Sequence, residues 1–277
     1  MEFTVVAPDQ HTGFARPGVG QHEPMTCTAG LQVIRSYPGG CGNAPDDLFK
    51  LRYDVYCIER AYLKPDAAAG GLERDDYDDC ATHFAAYADD GALVGTVRLV
   101  TPVAPREYPF ERHCTLFTGF RRPPHSHCGE VSRLAVRRSH RRRRADCVAG
   151  IPGFTAAPAE GVEIAPELER RQSSSPMLLL GMYREMYRHS RNHGVRFWFA
   201  AMERSLAHSL KKMGFQFEQI GPEADYYGKV TPYLLDLDTW IPGLGVTNPP
   251  LRAWFEEIPG VGAISAPVSA APVPTAG

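Results

Sequence analysis

The sequence predicts a mixed α/β fold, a central sheet flanked by helices in a single domain. Short apolar runs suited to strands, above all Val195 to Ala201, alternate with helical periodicity at Leu48–Tyr62 and Pro176–His193. An Asp89-Asp90-Gly91 turn joins two of the strand-like runs as a hairpin. With 277 residues, 43% hydrophobic and 22% charged, the chain can bury a substantial core.

In order along the chain, residues 1–44 are rich in Gly, Pro, His and Thr and predict a poorly ordered N-terminal arm. The domain then spans 45–257. Asp46 and Asp47 are N-cap candidates for a helix from Leu48 to Tyr62, whose Leu48, Leu51, Val55, Ile58 and Tyr62 share one face. An acidic loop, Glu73 to Asp79, follows it. Thr82–Ala88 and Ala92–Val100 form the hairpin, and Cys128–Val136 the next strand. Residues 145–175, rich in Pro, Gly, Glu and Ser, predict a mobile surface loop. Pro176 opens a helix to His193, stopped by Gly194, and Val195–Ala201 is a strand. A helix at Glu203–Met213, strands at Phe215–Ile220 and Tyr226–Asp236, and a short helix at Trp254 complete the domain. Residues 258–277 are low in complexity and predict a disordered C-terminal tail.

Composition removes several function classes. A net charge of −2 confines any polyanion binding to a local patch, and no basic face interleaved with aromatics argues for nucleic acid. Seven irregularly spaced cysteines fit a reducing cytoplasm better than a disulfide framework. Neither a signal peptide nor a transmembrane span is visible, which points to a cytoplasmic protein. His113, Cys114, His125, His127 and Cys128 lack the spacing of a metal site, so no metal is expected. No Gly-x-Ser-x-Gly elbow is present.

The candidate chemistry begins in the Cys128–Val136 strand. Glu130 and Arg133 lie beside Val131, Leu134, Ala135 and Val136, where a carboxylate and a guanidinium are costly unless they serve each other or a ligand. Residues three apart on a strand face opposite sides unless a bulge intervenes. Six arginines follow directly, Arg137, Arg138, Arg141, Arg142, Arg143 and Arg144, either a solvated face or a site for a phosphopantetheine arm or an acidic carrier protein. Arg52, Tyr56 and Tyr62 share the first helix. The acidic loop holds five carboxylates in seven residues, either a solvated turn or a cradle for a cation such as Arg52. Arg98 sits among apolar neighbours on its strand and, if it points inward, the acidic loop can pair it.

Together these segments resemble the acyl-homoserine-lactone synthases and N-acyl amino acid synthases of the GNAT superfamily, and among such enzymes the bacterial acyltransferases associated with the PEP-CTERM/exosortase system. The resemblance rests on Arg52-Tyr-Asp-Val-Tyr-Cys, Leu72-Glu-Arg-Asp-Asp-Tyr-Asp78, Gly95-Thr-Val-Arg98-Leu, Glu130-Val-Ser-Arg133-Leu-Ala-Val, Met202-Glu-Arg-Ser-Leu and Tyr226-Tyr-Gly-Lys-Val-Thr-Pro-Tyr233. It implies a GNAT-like sheet and an N-acyltransferase that moves a fatty acyl group onto an amino acid or similar small amine. It implies Glu130, Arg133 and Arg98 as catalytic residues, and Arg52, Tyr56, Tyr62, Asp75 and Asp78 as substrate-binding residues, with Asp75 and Asp78 orienting Arg52. Tyr56 and Tyr62 stand where the family usually carries phenylalanine and tryptophan. The usual GNAT pyrophosphate loop is absent after Val136, and arginines take its place. The expected donor is therefore the 4′-phosphopantetheine thioester of an acyl carrier protein, with acyl-CoA the alternative and no permanently bound cofactor. A CoA-dependent GNAT enzyme and a non-catalytic ligand-binding module on the same fold remain the other readings.

Overall fold

The computed structural model describes residues 27–28, 33–39, 42–65, 70–141 and 166–256. Helix α1 (Asp46–Tyr53) starts after Pro45, so Asp46 and Asp47 lie in its first turn rather than capping it. There their charges complement the unpaired N–H groups of the helix start. The coil then widens into a π-helix over Asp54–Glu59, and Ala61 turns away with φ 51°. The expected helix to Tyr62 thus ends early.

Strands β1 (Cys27–Thr28) and β2 (Val33–Tyr37) fall in the predicted arm, yet β2 pairs antiparallel with β3 (Ala81–Tyr87), Val33 opposite Tyr87. Only Ile34 of its five residues is buried, so this outer strand carries little apolar signature. β4 (Leu93–Val100) forms the hairpin with β3 and is buried at every position. β5 (Cys128–Val136) follows as expected. Helix α2 (Pro166–Asn192) begins at Pro166 rather than Pro176. Its opening turns, Glu-Leu-Glu-Arg-Arg-Gln-Ser-Ser-Ser, lack the apolar period that reveals a helix, so residues 166–175 read as loop. Residues 145–165 and the C-terminal 258–277 lie outside the described residues.

Gly194, at φ 74°, ends the turn after α2, and β6 (Phe197–Met202) follows. Helix α3 (Arg204–Lys212) closes before Gly214 at φ 92°. The two predicted final strands are interrupted. β7 is only Glu218–Gln219, and Tyr227 and Gly228, both at positive φ, separate β8 (Ala224–Asp225) from β9 (Lys229–Asp236). Helix α4 (Leu237–Thr247) was hidden from the sequence reading by its internal Pro242, and Asp236 caps it by accepting the Asp238 N–H. Helix α5 (Pro249–Glu256) carries Trp254.

The strand order is β1-β2-β3-β4-β5-β6-β9-β7, with β8 on β9. One face of the sheet packs Phe84, Val97, Leu99 and Val131 against Leu178, Met182 and Met186 of α2. The other packs Ala85 and Ala135 against Leu48, Leu51 and Val55 of the α1 segment. Cover on both faces explains why β4 reads as a continuous apolar run broken only by Thr96 and Arg98. Two local features shape the site. The β4–β5 register slips between Thr96–Ala135 and Arg98–Ser132, so Arg133 and Leu134 share the space opposite Val97, and Arg133 takes φ 53°. The parallel β5–β6 pairing covers only Cys128–Phe197, Gly129–Trp198 and Glu130–Phe199.

Candidate functional site

Beneath α1, three guanidiniums and three carboxylates lock together. Arg52 from α1 donates from Nε to Glu73 at 2.5 Å and from Nη1 and Nη2 to the two Asp78 oxygens at 2.6 and 3.2 Å. Arg98 from β4 grips Asp75 with both terminal nitrogens, at 2.6 and 2.8 Å, and reaches Asp78 Oδ1 at 2.7 Å. Its Nε donates to Ser132 Oγ on β5. Arg133 completes the lattice through Glu73 at 3.0 Å and Asp75 at 2.9 Å. Arg52 and Arg98 are fully buried, which only this pairing permits. Burial pushes the three carboxyls up, but the arginines more than offset it, and Glu73, Asp75 and Asp78 are all held below the ordinary carboxylate range. His83, beside Asp78, is pushed down to about 4 by burial and then by Arg52, and stays neutral.

The structure thus gathers Arg52, Asp75, Asp78, Arg98 and Arg133 as one cluster. It corrects one expected contact: Asp75 serves Arg98 and Arg133, while Asp78 and Glu73 hold Arg52. Glu73, in the same acidic loop, is a further member of the cluster that its sequence position alone does not distinguish from its neighbours. Leu72 packs against the α1 cluster and the Glu73 N–H bonds to the Phe49 carbonyl of α1, which sets the Glu73 carboxylate beside Arg52.

Glu130 stands apart from the lattice. It is 1% exposed and accepts one hydrogen bond, from the Phe110 N–H at 2.9 Å. Burial raises its pKa to about 8 against the partial relief of that N–H, Arg98 and Arg133. It sits at the last paired position of the parallel seam, where β5 and β6 part.

Tyr56 and Tyr62 flank this region, their rings 6.3 Å apart. Tyr56 lies 5.6 Å from the Arg133 guanidinium and donates to the Leu134 carbonyl of the bulge at 3.1 Å, while Tyr62 donates to Glu203 at the start of α3. Near Asp75 and Arg133 opens a cavity of about 150 Å³ walled by Tyr77, Arg112, His113 and Tyr226. The His113 and Tyr226 rings stack at 4.1 Å. These four residues were not identified as site residues from sequence, because they come from loops whose approach depends on tertiary structure.

The arginine run divides. Arg137 donates to the Leu93 carbonyl, and Arg141 pairs with Glu59 at 2.6 Å while donating to the Val136 carbonyl, so both brace the end of β5. Arg138 is exposed. Arg142, Arg143 and Arg144 lie outside the described residues. Among the described residues no three His, Cys, Asp or Glu side chains converge as a metal site, and no helix is long and apolar enough to cross a membrane.

Residues 51–149 match the family described as Acetyltransferase (GNAT) domain. No curated protein matches the chain. Among solved structures, TofI in a ternary complex with an inhibitor and MTA is similar at 16% identity and TM-score 0.51, over 77% of this chain and 96% of that one. The AHL synthase LasI shares 15% identity at TM-score 0.49, over 75% and 91% of the two chains. FeeM, an N-acyl amino acid synthase from uncultured soil microbes, shares 13% at TM-score 0.47, over 78% and 99%. The match over residues 51–149, within a mixed sheet flanked by helices, supports a GNAT-like domain with acyltransferase chemistry.

Proposed function

We propose that this chain is an N-acyltransferase that moves a fatty acyl group from an acyl carrier protein thioester to the amino group of an amino acid or similar small amine. The observation that carries this reading is Glu130, a buried carboxyl at the point where two parallel strands diverge. Once ionised, Glu130 takes the proton of the incoming amine, directly or through one water. The amine nitrogen bonds to the thioester carbon, the C–S bond breaks, and the carrier thiolate leaves. Backbone N–H groups of β5 beyond its parallel pairing with β6 face the developing oxyanion.

Arg52, Arg98, Arg133, Asp75 and Asp78, with Glu73, act as the frame. Their charges satisfy one another, so they fix α1, the acidic loop and β5 instead of binding substrate directly. Tyr56 and Tyr62 flank the acyl path. The exposed Arg138 supplies basic surface for an acidic carrier, whose association such charge would hasten, and the charges of Arg142, Arg143 and Arg144, outside the described residues, follow it in the sequence. The reading includes a cytoplasmic setting and the PEP-CTERM/exosortase-associated branch that the motif set resembles.

The test supplies acyl carrier protein thioesters and acyl-CoA separately, with a panel of small amines, and reads N-acylated product by mass spectrometry. Product from the carrier thioester, lost in Glu130→Gln, supports the proposal. Efficient turnover from acyl-CoA alone would instead favour a CoA-dependent enzyme.

A further inference from the structure

The strands that part beyond Glu130 are bridged by one short segment, residues 56–63. Tyr56 donates to the Leu134 carbonyl on β5, and Tyr62 donates to Glu203, which follows β6 and precedes α3. Glu130 and Phe199 are the last partners of the parallel seam. Leu134 and Glu203 each lie four positions further on, so both ends of the bridge sit at one level, on the order of 10 Å beyond Glu130.

The two ends are unequal. On the β5 side the Tyr56 bond is reinforced by the 2.6 Å ion pair of Glu59 with Arg141, and Tyr56 packs against the α1 cluster. On the β6 side the tie that the described residues show is the Tyr62 hydroxyl on Glu203. The Tyr62 ring rests against Gly228 of the β8–β9 turn, which has no side chain to clamp it; an added methyl would stand 3.2 Å from Cε1. Glu203 is itself a fixed post. Ser205 Oγ donates to its other carboxylate oxygen at 3.1 Å, and its carbonyl accepts the Leu206 and Ala207 N–H groups. The segment between the ends is strained, with a π-helix over Asp54–Glu59 and Ala61 at φ 51°. Such backbone persists where contacts at both ends hold it.

We propose that residues 57–63 form a strap, hinged on β5 through Tyr56 and latched by Tyr62 to Glu203, that opens at the latch to admit a long donor chain between β5 and β6. Glu203 is a positioning residue and acts through Tyr62. The identity of the chain rests on the proposed transferase reading.

Cys57 reports the opening, because it follows the hinge, is 7% exposed and lies within electrostatic reach of Glu73 and Arg133. The full chain is labelled with N-ethylmaleimide, and the rate at each cysteine is read by peptide mass spectrometry. Tyr62→Phe and Glu203→Ala each speed labelling of Cys57 by roughly 3- to 10-fold, the factor one hydrogen bond supplies. Glu203→Gln, which keeps an acceptor oxygen, stays near the unaltered rate. Cys114 and Cys128, buried in the cluster around Phe110 and Phe199, keep their rates in every variant, which a general loosening of the fold would not permit. An unchanged rate at Cys57 in Tyr62→Phe, or a rise at all three cysteines, overturns the proposal. Saturating S-decanoyl pantetheine slows Cys57 labelling in the unaltered protein, as the filled space between the strands holds the strap shut. Absence of that protection overturns the entry role. Protection without N-acylated product from any amine upholds the strap and counts against the transferase reading alone.

Discussion

Glu130 and Arg133 lie three residues apart on β5 yet serve the same side of the sheet, because the chain at Arg133 takes φ 53° and adds a residue to the strand. Without that slip Arg133 would face α2 and its apolar core. With it, Arg133 joins Arg98 on Asp75, a short way from the Glu130 carboxyl.

Replacing Glu130 by Gln should lower turnover by roughly 10²–10⁴ while the fold persists, the loss expected for a general base. In the unaltered protein kcat/KM should rise as pH climbs through about 8, where Glu130 ionises. That inflection should vanish in Glu130→Gln, which separates it from titration of the acceptor amine.

The same substitution has a stability signature of opposite sense. Glu130 stays neutral in the folded chain to about pH 8, whereas the unfolded chain ionises near its ordinary value of 4.5. Its contribution to stability is therefore complete below 4.5 and lost progressively as pH rises toward 8. Glu130→Gln should gain Tm relative to the parent over that window. Parallel Tm curves for the two proteins would rule out a neutral buried carboxyl.

Arg133→Ala leaves Glu73 and Asp75 short of a buried partner and should cost about 3–5 kcal/mol, read by urea unfolding. Relief of the positive φ cannot rescue it, since alanine is no better suited to that conformation.

A double-mutant cycle between Arg52→Met and Glu73→Gln should return a coupling of about 0.5–3 kcal/mol, since the two groups meet at 2.5 Å inside the lattice. Additive effects would mean that Glu73 is incidental to the cluster.

Arg138→Glu should reduce kcat/KM for carrier thioesters relative to acyl-CoA, and more so at low ionic strength, because Arg138 is exposed and its field is screened by salt. An equal effect on both donors would remove the carrier-docking role. Arg141 is unsuited to this test, since its pairing with Glu59 ties it to the fold.

The elements best read from sequence were those whose burial leaves a period or a run: β4, β5, β6 and the start of α1. The sequence could not reveal β2, whose single buried Ile34 makes no pattern, or α4, whose Pro242 reads as a break. For the site, charged residues in apolar surroundings were the useful signal, and Arg98, Glu130 and Arg133 proved buried. Which carboxylate meets which arginine was not legible, because partners 20 to 60 positions apart are chosen by a strand slip and a loop path. The wall of Tyr77, Arg112, His113 and Tyr226 was hidden for the same reason.

The brevity of the parallel seam has a mechanical meaning. Three residue pairs join β5 to β6, while β6 meets β9 through six. The sheet is thus two plates riveted at one edge, and compliance concentrates along that rivet line. Amides of Cys128 to Glu130 that bond across it should exchange with deuterium sooner than those inside the β3–β4 hairpin. For the proposed transferase, this seam is where a long acyl chain would meet the least resistance to entering the sheet.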